Sequence, residues 1–242
     1  MSGRRCSSPL KPSENAPSLS PLANEVLGGQ RVVAGTWGGD NEFARQATEL
    51  TEKWFQNRQS VDPDMLNAVL GTAAFYGNTT LFNRFLTDFR NTQDKQRREQ
   101  LIAAMGSFRD PGAIEAGMDA LIRGDVPFTE GAFLLFTGQD QPATRRLPFE
   151  FVKTHFDQVV ARMPSGGLFE FGAWLPHVGD SFCDEVSRSE LQAFFQPKVD
   201  HITGAPRTLN QVIEGIDLCI AGKAAQQPSV AFFLDKYRTW SQ

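Results

Sequence analysis

Cysteine and histidine are both scarce: three of each in 242 residues, Cys6, Cys183 and Cys219 beside His155, His177 and His201. So few thiols exclude a disulfide-dense scaffold and a four-thiolate zinc site. They cannot all pair within the chain, and the reading they favour is buried or free thiols. No stretch approaches the roughly 18 consecutive apolar residues that cross a bilayer. Gly3-Arg4-Arg5 has the charge of an export-signal start, but Cys6-Ser7-Ser8-Pro9 stands where an apolar segment would follow, so no export address is expected. A basic excess is missing too. The 24 Lys and Arg against 28 Asp and Glu leave a net charge of -4, which argues against a nucleic-acid partner. Tyrosine (2) and tryptophan (4) are few beside 20 phenylalanines. Phenylalanine buries area without a polar group to satisfy, so the aromatic content points to packing more than to recognition.

What is present is an ordinary globular composition, 40% hydrophobic and 21% charged, enough for a real core. Residues 1–40 are rich in Ser, Pro, Gly and Asn and sustain neither a helical nor a strand period, so they read as a flexible leader. The glycines Gly28-Gly29, Gly35 and Gly38-Gly39 lack the Lys-Ser/Thr and the strand-to-helix context of a phosphate loop, and read as linker.

From residue 41 to 242 the apolar period is helical. Phe43, Ala47, Leu50 and Trp54 share one face. Asp62-Pro63 reads as N-cap and first-turn proline of a helix burying Leu66, Val69, Leu70 and Ala73 and ending at Gly77. Asn78 caps a helix with Leu81, Phe82, Phe85, Leu86 and Phe89. A fourth, from about Gln93 to Met105, turns Leu101, Ile102 and Met105 inward and stops at Gly106. Asp110-Pro111 opens a helix with Ile114, Met118, Leu121 and Ile122, stopped by Gly124. Pro148 opens one with Phe151, Val152, Phe156, Val159 and Val160. Leu209, Val212, Ile213, Ile216 and Ile220 mark another, and Val230, Phe233, Leu234 and Tyr237 repeat the pattern at the end. The sequence therefore predicts an all-α fold of about ten helices on short loops. Short loops make neighbours antiparallel, which favours a HEAT-like or armadillo-like α-solenoid of helical hairpins, with a compact bundle as the alternative.

Several strings then fall in a recognisable order: Gly106-Ser107-Phe108-Arg109-Asp110-Pro111, Gly124-Asp125-Val126-Pro127, Phe149-Glu150-Phe151-Val152-Lys153-Thr154-His155-Phe156, Phe194-Phe195, and Arg207-Thr208-Leu209-Asn210-Gln211-Val212-Ile213-Glu214-Gly215-Ile216. Together, over Phe43 to Leu234, they resemble the C-terminal helical domain of the zinc aminopeptidases of the puromycin-sensitive, endoplasmic-reticulum and membrane alanyl type. The resemblance implies an α-solenoid that caps a catalytic domain and encloses its peptide cavity. Thr129-Glu130 departs from the family's frequent Gln-Asp, and Phe149 and Phe156 replace tryptophans; exchange of one aromatic for another keeps the packing. The chain matches the later part of such a domain behind an unrelated or truncated leader. The compartment stays open, with the cytoplasm as default and a secreted parent enzyme as the other case.

The parent chemistry needs a zinc-polarised water held by His-Glu-x-x-His and a downstream carboxylate. That motif is absent, as is the Gly-x-Met-Glu-Asn element that holds the substrate amine, so neither catalysis nor a cofactor is expected of this chain; zinc belongs to the family's catalytic domain. His177, Cys183 and Asp184 do not match a recognised ligand spacing and read as a loop histidine and a helix-start aspartate. Cys219 reads as a core filler on the apolar face beside Ile216 and Ile220. Asn78-Thr79-Thr80 fits a glycosylation acceptor, but a helix N-cap is the favoured reading. Arg109, Lys153 and Arg207 are the candidate peptide-binding cations, suited to a terminal carboxylate; the competing reading has them tying loops to carbonyls or to acids such as Glu214. Two functions follow: a non-catalytic domain closing the cavity of an aminopeptidase, whose partner is the catalytic domain, or a free-standing HEAT-like scaffold holding a peptide or protein on its concave face.

Overall fold

The computed structural model describes residues 41–164 and 171–238; the leader read at 1–40 lies outside them. Among the described residues every regular element is helical. These are α1 (Asn41–Gln56), α2 (Pro63–Phe75), α3 (Thr79–Asn91), α4 (Lys95–Met105), α5 (Pro111–Arg123), the single turn α6 (Phe128–Gly131), a first 3-10 helix (Ala132–Phe136), α7 (Leu147–Arg162), a second 3-10 helix (Phe171–Gly179), α8 (Glu185–Val199) and α9 (Ala205–Arg238).

The helix starts are set by short polar side chains. The Asp62 carboxylate accepts the Asp64 N–H, with Pro63 filling the first helical position. The Asn78 side chain accepts the N–H groups of Thr80 and Leu81. Asp94 accepts from Arg97 and Asp110 from Ala113. Each supplies an acceptor to an N–H that the helix itself cannot satisfy. Gly124 ends α5 at φ 79°, where a Cβ would be strained, and the Asp125 N–H returns to the Ala120 carbonyl at 2.9 Å. Gly106 follows α4, and there glycine answers to space and not to backbone angles. Its φ is an ordinary -77°, but a Cβ there would lie 2.4 Å from the Phe133 ring.

Five hairpins succeed one another: α1 with α2, α3 with α4, α5 with α6 and the first 3-10 helix, α7 with the second 3-10 helix, and α8 with α9. Their second members form one row, in which α2 packs on α4, α4 on α6, the first 3-10 helix on the second, and the second on α9. Their first members form the other: α3 packs on α5 and α5 on α7. The Phe55 and Phe85 rings lie 5.6 Å apart between α1 and α3, and Phe149 and Phe195 lie 6.5 Å apart between α7 and α8. Among the described residues α1–α4 have no substantial packing with α7–α9. This is the solenoid-like order, in which each unit buries its apolar face on the next. A single apolar seam runs between the rows, through Trp54, Phe82, Phe85, Phe108, Ile114, Phe149, Phe182, Phe195 and Ile216.

Three expectations change. The two apolar segments Leu209–Ile220 and Val230–Tyr237 belong to one 34-residue helix, α9, and only the first is covered. Val230, Phe233 and Leu234 are more than half exposed, because α8 is 15 residues long and its first turns already lie beside Asp217, which Arg188 grips. Nothing among the described residues extends beyond that point to cover α9. Val160 likewise faces out of α7. The cysteine reading is overturned: Cys183 and Cys219 are joined in a disulfide spanning 36 residues, Cα atoms 5.4 Å apart. Cys219 is exposed and bonds to Cys183 in the segment just before α8.

Phe149 is fully buried with ring centroids of Phe182 and Phe194 at 5.6 and 5.9 Å. Phe149→Ala is expected to destabilise the fold by about 3–5 kcal/mol in urea unfolding; a loss under about 1 kcal/mol would contradict the seam. Closing a 36-residue loop is worth about 4 kcal/mol in the chain-entropy account. The unreduced, unfolded chain should therefore show one titratable thiol, and Cys219→Ser should lower the unfolding midpoint. Three titratable thiols would contradict the pairing.

Candidate functional site

Arg109 is a sequence-predicted cation that the fold seats in a cavity. The loop after α4 is pinned twice. Phe108 is buried, edge-on to Phe82 and Phe85 at 5.6 and 6.1 Å, and Asp110 caps α5 at 2.9 Å while accepting the Thr79 hydroxyl at 3.2 Å. With its neighbours fixed, the intervening side chain turns the other way, and the Arg109 guanidinium lies 3.4 Å over the Phe75 ring, a cation–π contact. It lines a cavity of about 310 Å³ with Asn67, Gly71 and Phe75 of α2, Gly106, Ser107 and Phe108 after α4, and Thr137, Gly138 and Asp140 after the first 3-10 helix. A cation, an acid, hydroxyls and an amide beside two rings can hydrogen-bond a polar chain segment and cover its apolar part.

Lys153 and Arg207 do not line that cavity. Lys153 is exposed on α7, 3.6 Å from the Glu150 carboxylate and 5.6 Å from the Phe149 ring. Arg207 is exposed in the first turn of α9 and forms no ion pair with Glu214.

The imagined metal trio dissolves into other roles. His177 Nδ1 sits 2.9 Å from Asp180, Cys183 is in the disulfide, and Asp184 caps α8 by accepting the Ser187 N–H at 2.8 Å. Among the described residues no three His, Cys, Asp or Glu side chains cluster to hold a metal ion. His155 meets Gln158 at 2.9 Å and packs on Phe151, at a kink where its own backbone leaves helical angles.

Two arginines that sequence reasoning passed over organise the rows. Arg98 forks onto the Glu130 carboxylate at 2.8 and 2.9 Å, lies 3.8 Å over Phe89 and donates to the Phe89 and Thr92 carbonyls. Bidentate pairing with a carboxylate suits guanidinium geometry, so Glu130, noted as a departure from the family pattern, has a structural partner. Arg146, at the N-cap of α7, joins Glu150 in the first turn of that helix to Ser187 and Glu190 on α8. Hydrogen bonds from Arg146 hold the Glu190 carboxyl below its ordinary range. No sequence spacing signals either cluster, since both partners across the rows are distant in the chain.

The model of the family described as ERAP1-like C-terminal domain matches residues 30–218. The chain belongs to this family. It is thus a C-terminal domain of the M1 aminopeptidase type, in which the catalytic zinc sits in another domain. No curated protein matches the chain. The ERAP1-like match includes both the Arg109 loop and Arg207, and it ends where the covered part of α9 ends. No described helix is long and apolar enough to cross a membrane.

Asp184 gives the start of α8 a pH signature. The Ser187 backbone N–H, acting against desolvation, holds its carboxyl below the ordinary aspartate range. The cap's contribution is therefore complete above the unfolded-state value and is lost as pH falls through the lower folded-state one. Asp184→Ala is expected to cost about 1 kcal/mol at neutral pH, with the gap from the unmutated chain closing in acid. Urea unfolding at the two pH values checks this; a gap independent of pH would contradict it.

Proposed function

We propose that this ERAP1-like C-terminal domain encloses the peptide cavity of an aminopeptidase and positions peptides there, while a separate catalytic domain carrying zinc removes the N-terminal residue. In this reading the two-row stack is HEAT-like, Arg109 offers a guanidinium to a peptide carboxylate from a cavity floored by Phe75, and Lys153 and Arg207 are further peptide-binding cations. The single observation that carries the proposal is the family match across residues 30–218; the seating of Arg109 between two pinned neighbours supports its part. Preorganisation matters here, because a guanidinium already held on a ring loses little freedom when it binds. A free-standing HEAT-like scaffold is the second reading, favoured by the uncovered apolar side chains Leu218, Val230 and Leu234 on α9.

Co-expression with a catalytic domain bearing His-Glu-x-x-His is expected to give a stable complex that turns over longer peptides faster than the catalytic domain does alone, with little change on single-residue chromogenic substrates. Arg109→Ala should raise KM for the longer peptides several-fold, an effect of about 1 kcal/mol, at unchanged melting temperature. Alone, the chain is expected to hold no stoichiometric zinc and release no amino acids. Chelator-sensitive turnover by the isolated chain would overturn the division of labour, and absence of a complex would favour the scaffold.

A further inference from the structure

Asn78-Thr79-Thr80 is the single Asn-x-Ser/Thr sequence of the chain. Sequence reasoning set two roles for Asn78 against each other, helix cap and glycan acceptor. The geometry removes the conflict. Capping uses the carbonyl oxygen alone: Oδ1 accepts the Thr80 N–H at 3.0 Å and the Leu81 N–H at 3.4 Å. Glycosylation uses the amide nitrogen, Nδ2, which donates to no described residue, and it leaves the carbonyl oxygen in place as an acceptor. Asn78 and Thr80 are both exposed, and the Asn78 backbone is extended at φ -129°, ψ -177°. The residue between them is Thr79, not the proline that would block the sequence as an acceptor.

A second observation bears on compartment. The Cys183–Cys219 disulfide belongs to an oxidising environment, and in eukaryotic cells the oxidising lumen is where lipid-linked glycans are transferred. It argues against the cytoplasm as the default. We propose that Asn78 carries an N-linked glycan. The co-reactant is a lipid-pyrophosphate-linked oligosaccharide. The bond between Nδ2 and the anomeric carbon forms as the bond from that carbon to the pyrophosphate oxygen breaks; the electron pair leaves with the lipid pyrophosphate, and one amide proton passes to a base of the transferase. Nothing is oxidised or reduced.

The glycan has a defined place. Asn78 lines a cavity of about 350 Å³ among α1, the end of α2 and the start of α3, with Tyr76, Thr51 and Arg84. Tyr76 is 44% exposed, and a sugar at Nδ2 covers it. This cavity shares no lining residue with the one at Arg109. A glycan also keeps the Asn78 edge out of any protein interface, which restricts how a catalytic domain docks.

The test is peptide mapping of the full chain purified from its own cells, before and after peptide N-glycosidase. The expected result is a glycopeptide containing Asn78 that the enzyme converts to a deamidated one. In the same cells Asn78→Asp, which keeps a capping oxygen, and Thr80→Ala should lose the added mass, and Thr80→Ser should retain it, all with unchanged melting temperature within the cap's small contribution. Unmodified Asn78 in folded, disulfide-bonded chain would overturn the proposal, as would a mass addition that survives Asn78→Asp.

Discussion

The apolar seam between the two rows is the constraint on which the rest depends. No hairpin of this chain closes a core by itself; each has one face that must lie on the next. Fully buried rings of Trp54, Phe82, Phe85, Phe89, Phe108, Phe149, Phe182 and Phe195 carry the seam from α1 to α8. That explains why phenylalanine, with no polar atom to satisfy, dominates the aromatic content. It also explains what lies at its ends. Where α8 gives out, α9 runs on with Val230 and Leu234 more than half exposed, and the disulfide sits near the end of the covered part of α9.

The seam sets the positions of the polar groups as well. Because Phe108 is drawn into it, Arg109 is turned outward onto Phe75. Arg98 and Arg146 act at the rims of the seam, tying α4 to α6 and α7 to α8 through carboxylates that remain partly exposed. Exposed pairs contribute little individually. Here they link successive units of the stack.

Local chemistry was legible in the sequence and tertiary pairing was not. Asp62-Pro63, Asn78, Asp110-Pro111 and Gly124 mark helix ends because capping involves residues two to four apart. The apolar positions that the helical period marked through Ile216 are buried or half-buried, with Val160 as the exception, for the same reason. The stretch from Phe128 to Phe136 resisted reading, since a four-residue turn followed by a 3-10 helix is too short to show a period. Gly106 was recognisable as a stop, but the close approach of Phe133 to it is a tertiary contact. The Cys183–Cys219 pair follows from the antiparallel α8–α9 hairpin that also brings Arg188 to Asp217; the hairpin register was the missing signal. Of the candidate cations, Arg109 lies in a string whose flanking residues betray its pinned loop. Nothing in the spacing of Lys153 or Arg207 indicates their surroundings.

Native-state hydrogen exchange on the isolated chain tests the continuity of the seam most directly, because amide protection reports where cooperative structure begins and ends. A single seam predicts strong protection in the interior of α2 through α5, α7, α8 and the first half of α9, with no unprotected gap between α5 and α7 and a sharp fall beyond Ile220. Fast exchange throughout α7 and α8 while α2 to α5 stay protected, or equal protection along all of α9, would contradict it.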